Sequence, residues 1–182
     1  MIRYATRDDL LRIGRENVTE SRAKVAKAQS RDPSGLTFLS HSSKDNDLMP
    51  GVVRILENHG ATVYLDKIDA SLTTKSVREI AKTLRSRIQA CKKFVLFAST
   101  SVKSSTWVPW ELGLADGFKR STNVAIFPSV DNMQEQTWTE QEYLGVYDRV
   151  IWGNYAGQSE HQWLVWNQIA NTAMTLRAWL GR

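Results

Sequence analysis

The run Phe94-Val95-Leu96-Phe97-Ala98 is apolar without a break and lies between Lys92-Lys93 and Ser99-Thr100-Ser101. It is too short for a helix and too uniformly apolar for a strand with one wet face. It fits a strand covered on both faces, and strands of that kind belong to parallel sheets flanked by helices. The neighbouring segments supply the rest of such a sheet. Residues 36–40, 61–65, 124–128 and 148–152 read as four further strands. Between them, Leu48, Val52, Val53, Ile55 and Leu56 mark a helix from Asp47, closed by Asn58-His59-Gly60. Val77, Ile80, Ala81, Leu84 and Ile88 mark a second over residues 76–90, and Leu112, Leu114, Ala115 and Phe118 a third over 107–120.

The expected fold is therefore α/β, a parallel sheet of about five strands with helices on both faces. Residues 1–34, with a weak stripe of Leu10, Leu11, Ile13, Val18, Val25 and Ala26, are expected to form an N-terminal helical extension. It ends at Arg31-Asp32-Pro33-Ser34-Gly35, and the main domain spans 35–182. Residues 160–180 are expected to close the fold as a helix, with Trp163, Trp166, Ile169, Ala173 and Leu176 on one side. Trp138, Trp152, Trp163, Trp166 and Trp179 are assigned to packing between the last strand and that helix.

Several function classes fall away. Cys91 is the single cysteine, so it forms no internal disulfide, and it has no zinc spacing with His41, His59 or His161. A reducing cytoplasm is the expected compartment, since no apolar run approaches a membrane span and no signal pattern stands at the start. The net charge of +5 would attract polyanions, but the basic residues are spread through helices rather than interleaved with aromatics, so nucleic acid is not the expected partner. There is no Gly-rich phosphate loop with Lys-Ser/Thr, no G-x-G-x-x-G after the first strand, no G-x-S-x-G elbow and no H-E-x-x-H. A phosphoacceptor receiver would want clustered aspartates where this chain has Ser40-His41-Ser42-Ser43. That hydroxyl-rich loop would also suit the phosphate of a flavin, an alternative that stays open.

Ligands on parallel sheets bind outside the carboxyl ends of the strands, and the loops after Ser40, Asp66 and Ser99 leave from that edge. The last of them enters Trp107-Val108-Pro109-Trp110-Glu111-Leu112, which places one carboxylate and two indoles at a helix start. Glu111 either complements the helix dipole, with the tryptophans as packing residues, or forms a site.

Phe38-Leu39-Ser40-His41-Ser42-Ser43-Lys44-Asp45 resembles the first box of Toll/interleukin-1 receptor (TIR) domains. Val63-Tyr64-Leu65-Asp66 and the polar stretch after it resemble the second strand and BB loop, and Trp107 to Glu111 the W-x-x-x-E segment of the enzymatic members. The boxes run in the right order from about Leu36 to Trp152, and the similarity is to bacterial, NAD+-cleaving TIR proteins of Thoeris-like antiphage defence. The BB loop departs from the common pattern, with Leu72-Thr73-Thr74-Lys75 where a glycine often stands.

This resemblance implies a flavodoxin-like fold and cleavage of NAD+ at the nicotinamide–ribose bond, with NAD+ as substrate and no cofactor or metal. It implies Glu111 as the catalytic residue and Trp107 as part of the nicotinamide pocket. Ser40, His41, Ser42, Ser43, Lys44, Asp66 and Lys67 complete the substrate-binding candidates. Ser42 and Ser43, with backbone N–H groups ahead of a helix, would cradle the diphosphate, and Lys44 or Lys67 would add charge. A single carboxylate is chemically sufficient. Nicotinamide on ribose is already cationic and leaves neutral, so no general acid is required, and one ionised glutamate stabilises the developing oxocarbenium ion. The product would be ADP-ribose or a cyclic ADP-ribose isomer, read by a separate effector. Self-association would let residues 66–75 of one subunit complete the site of another. The competing reading is a non-enzymatic module that binds other TIR domains.

Overall fold

In the computed structural model, the described residues are 3–66, 76–131, 142–155 and 157–182, with Glu142 and Tyr143 described in backbone only. The chain runs β1 (Ala5–Thr6), α1 (Arg7–Arg15), α2 (Val18–Ser30), β2 (Thr37–Ser40), α3 (Met49–Asn58) and β3 (Val63–Leu65). It continues through α4 (Val77–Ala90), β4 (Lys93–Ala98), α5 (Val108–Phe118) and β5 (Val124–Val130). The last elements are β6 (Asp148–Gly153), β7 (Gln162–Asn167), β8 (Thr172–Thr175) and α6 (Leu176–Gly181).

The strands form one sheet in the order β3-β2-β4-β5-β6-β7-β8, with β1 paired to β5. From β3 to β6 every pairing is parallel, and the order is that of the flavodoxin-like fold implied by the resemblance to TIR domains. The apolar run of β4 explains itself in the packing. Val95 and Phe97 point into one core with α1, α2 and α3, while Phe94, Leu96 and Ala98 point into a second core with α4 and α5. Strand β5 alternates in the same way, Ala125 and Phe127 against Val124 and Ile126. Each face is thus covered by helices, and every residue of β4 and β5 is buried.

Two features go beyond the expected five strands. β1 pairs in parallel with the carboxyl end of β5 through Ala5 and Ser129, past the point where β6 has diverged, and Arg3 exchanges both backbone hydrogen bonds with Trp152 of β6. The second is a correction. Residues 160–180 do not form a helix; β7 pairs antiparallel with β6 and β8 antiparallel with β7, and only the short α6 follows. Gln162-Trp163-Leu164-Val165-Trp166 is rich in aromatic and β-branched residues that suit a pleated surface. Trp163 and Val165 reach the first core, and Trp163 sits opposite Trp152 with rings 5.2 Å apart, edge to face. Ile169, expected on the buried stripe, lies in the β7–β8 turn and is 78% exposed. Trp179 of α6 is buried in the same core, whereas Trp138 lies outside the described residues.

Residues 1–34 are built into the first core. Leu10 and Ala28 are fully buried there, and α1 crosses α3 so closely that a Cβ on Gly51 would fall 2.2 Å from the Leu10 carbonyl oxygen. Helix α2 packs on α3 and on the edge strand β3. Arg31, just past α2, fixes its end by bonds to Glu57 at 2.5 Å and to the Val63 carbonyl at 2.7 Å.

Candidate active site

Strands β2 and β4 are neighbours whose connections depart to opposite sides, and at such a switch point the loops after the two strands part and leave a crevice. Here the crevice is a cavity of about 400 Å³. Its walls come from the end of β2 with the loop to Asn46, from Asp66 after β3, and from residues 104–111 entering α5.

Each wall has a local cause. Ser42 initiates a short 3-10 turn over Ser43–Asp45, its hydroxyl accepting from the Lys44 N–H at 3.4 Å. On the far side Ser99 does the same for the turn Thr100–Ser104, accepting from the Ser101 N–H at 3.0 Å. Helix α5 starts at Trp107 without a side-chain cap of its own; the Ser105 hydroxyl accepts from the Val108 N–H at 3.3 Å instead. Pro109 stands in the first turn, where its missing N–H costs nothing.

Side chains then stitch the two loops together. The Ser99 hydroxyl donates to Asp45 at 2.7 Å, and Lys44 Nζ donates to the Ser104 hydroxyl at 2.9 Å. Asp45 is 1% exposed, and burial pushes its carboxyl above the ordinary carboxylate range while hydrogen bonds from Ser99 and Ser101 pull the other way. At the floor, Ser40 Oγ donates to Glu111 Oε2 at 2.5 Å. This bond fixes the one carboxylate in the first turn of α5 against the last residue of β2. Glu111 is 6% exposed yet lines the cavity, so it is largely shielded from water but open to a ligand.

The structure brings the candidates Glu111, Trp107, Ser40, His41, Ser42, Ser43, Lys44 and Asp66 together around this cavity. Lys67 lies outside the described residues. His41 Nε2 pairs with Asn46 Oδ1 at 2.9 Å, and Asp66 is held by Arg87 at 2.6 Å. Trp107 is half-buried with its ring edge to face against Trp110 at 5.5 Å, and Trp110 does not reach the cavity. Sequence reasoning missed Gln29, Asn46 and Ser104 to Thr106 as lining residues. The serine and threonine content of the 99–106 loop was a usable signal for the latter. Gln29 carried none, because it lies before the first strand of the recognisable pattern.

The arrangement offers one shielded carboxylate at Glu111, an indole in the same wall, a second carboxylate at Asp66 that is paired with Arg87, and hydroxyl, amide and Lys44 ammonium groups along the rest of the cleft. The TIR domain family matches residues 37–162. A protein of Bacillus cereus (strain MSX-D12), named "Probable 3' cyclic ADP-D-ribose synthase ThsB'", is 37% identical over 127 residues, covering 69% of this chain. The chain spans 65% of that relative's length in the match.

Proposed function

This chain belongs to the TIR domain family, and from that premise we propose that it cleaves NAD+ at the bond between nicotinamide and ribose and closes the remainder into a cyclic ADP-ribose isomer. The observation that carries the proposal is Glu111, shielded at the floor of the switch-point cavity and oriented by Ser40. As the bond breaks, nicotinamide leaves with the bonding electron pair and becomes neutral, while positive charge grows on the ribosyl carbon and ring oxygen. A carboxylate held beside that ribose is worth most at the moment the charge develops, because it is fixed beforehand and little water screens it. The Trp107 ring suits the flat pyridinium, an attraction of about 0.5–2 kcal/mol depending on desolvation. Capture of the cation by water would give ADP-ribose, and capture by a hydroxyl of the same molecule a cyclic isomer; either nucleophile releases one proton. Cyclisation is favoured here by the printed name of the relative, a cyclic ADP-D-ribose synthase. No step of this chemistry calls for a cofactor.

The Ser42-Ser43 turn, with backbone N–H groups preceding α3, is proposed to hold the diphosphate. The proposed setting is the cytoplasm of a bacterium under phage attack, with a separate effector that reads the product. Consistent with that, no described helix is long and apolar enough to cross a membrane. We also propose that self-association supports activity, which predicts that specific activity rises with protein concentration; a flat dilution series by light scattering and turnover would count against it.

The deciding experiment is incubation of the protein and of Glu111→Gln with NAD+, followed by product chromatography. The wild type is expected to release nicotinamide and Glu111→Gln to release none while unfolding at the same temperature. Undiminished turnover by a folded Glu111→Gln would overturn the assignment, and a wild type that releases no nicotinamide would favour the interaction module.

A further inference from the structure

Most polar side chains around the cavity are already engaged within the protein. Ser40 is bonded to Glu111, His41 to Asn46, Lys44 to Ser104, and Asp66 to Arg87. Gln29 differs. It lines the same cavity from α2, it is half-buried, and its amide has no hydrogen-bond partner among the described residues. The amide still reaches solvent, so a group that enters the cavity and pairs with it replaces water and gains the net bond rather than the whole one.

Its position says which group. Helix α2 packs on α3 and on the edge strand β3, whereas α5 belongs to the core on the other face of the sheet and is anchored at the ends of β2 and β4. Gln29 and Glu111 therefore approach the cavity from opposite faces and from opposite sides of β2. Strands are spaced by about 4.8 Å, so the offset from β3 to β4 alone is about 10 Å. A dinucleotide laid across the switch point spans such an offset with one base at each flank.

We infer that Gln29 is a specificity-determining residue that reads the adenine of the substrate, its amide carbonyl accepting from the exocyclic amino group and its amide N–H donating to N7. This rests on the NAD+-cleaving reading, which places nicotinamide at Trp107 and Glu111 and leaves the adenosine half for the far flank. A glutamine pairs with that edge of adenine through one donor and one acceptor, whereas hypoxanthine presents two acceptors there. Holding the adenosine half also brings its hydroxyls to the ribosyl cation, so the residue favours cyclisation over capture by water.

The test compares NAD+ with nicotinamide hypoxanthine dinucleotide in the wild type and in Gln29→Ala. The wild type is expected to prefer NAD+ by about tenfold or more in kcat/KM, and Gln29→Ala to bring that ratio close to one. Turnover of nicotinamide mononucleotide, which lacks the adenosine half, should be the same in both proteins, and Gln29→Ala should release a larger share of ADP-ribose. Calorimetric binding of the two dinucleotides to Glu111→Gln, with and without Gln29→Ala, reads the same ratio without turnover. It thereby separates this inference from the catalytic one. An adenine preference that survives Gln29→Ala in both measurements overturns it, as does an equal loss with nicotinamide mononucleotide.

Discussion

Ser40 and Glu111 act as a unit, since the hydroxyl of one fixes the rotamer of the other. Ser40→Ala is expected to reduce kcat with NAD+ by about 10- to 100-fold, because the carboxylate keeps its charge but loses its fixed aim. The stability cost should stay near about 1–2 kcal/mol, that of a lost buried hydrogen bond. Steady-state turnover with thermal unfolding checks both. Trp107→Ala should impair turnover more than stability, since its ring is only half-buried; a loss of about 3–5 kcal/mol, the cost of truncating a core aromatic, would assign it to the core instead. The positions of Glu111, Trp107 and the 40–44 loop were legible because strand ends and helix starts announce themselves in local chemistry, whereas their site roles came from the resemblance to TIR domains. The Asp45–Ser99 bond and Gln29 were not, since they depend on which distant elements the fold brings together.

At the level of elements, the alternation from β2 to β6 could be read from apolar runs and turn residues. The end of the chain could not. Trp163, Trp166, Ile169, Ala173 and Leu176 satisfy a helical stripe, but tertiary pairing with β6 prevails, and Asn171 turns β7 into β8 with a positive φ of 49°. The α1–α3 crossing is equally silent in sequence. Gly51→Ala should destabilise the fold by about 1–3 kcal/mol, because its Cβ meets the rigid backbone of Leu10 rather than a side chain that can move. Gly113→Ala, in the open middle of α5 with nothing within 4 Å of a Cβ, should instead stabilise by about 0.5–1 kcal/mol. Urea unfolding of both variants tests the opposite signs.

For the whole molecule, the division at residue 34 is a boundary of pattern, and we propose that it is not one of folding. Leu10 and Ala28 belong to the main core and β1 to the sheet, so a chain starting at residue 35 is expected to show no cooperative thermal transition by circular dichroism. The edge of the sheet remote from the cavity holds a second whole-molecule property. Lys93, 1% exposed, joins β4 to Asn123 at 3.0 Å and to the Trp179 ring of α6 at 4.3 Å. Burial, with repulsion from Lys92 and Arg182, lowers its pKa from 10.5 to about 8. Between those values the folded protein holds fewer protons than the unfolded chain, so this group makes stability climb with pH, by at most about 3 kcal/mol. Cys91 and Tyr64, both pushed up to about 12 by burial, act with the opposite sign. The contribution is therefore read as the difference between wild type and Lys93→Met in urea unfolding at pH 7.5, 9 and 10. The wild type should gain on the variant as pH rises. The seam made by β1 has a consequence in time. Ala5 meets Ser129, and Arg3 meets Trp152, across most of the chain, and contacts of such long sequence separation close late because the intervening loop entropy is lost first. Refolding should therefore leave this seam until last, and pulsed hydrogen exchange should find the Trp152 amide protected after those of the β4–β5 ladder.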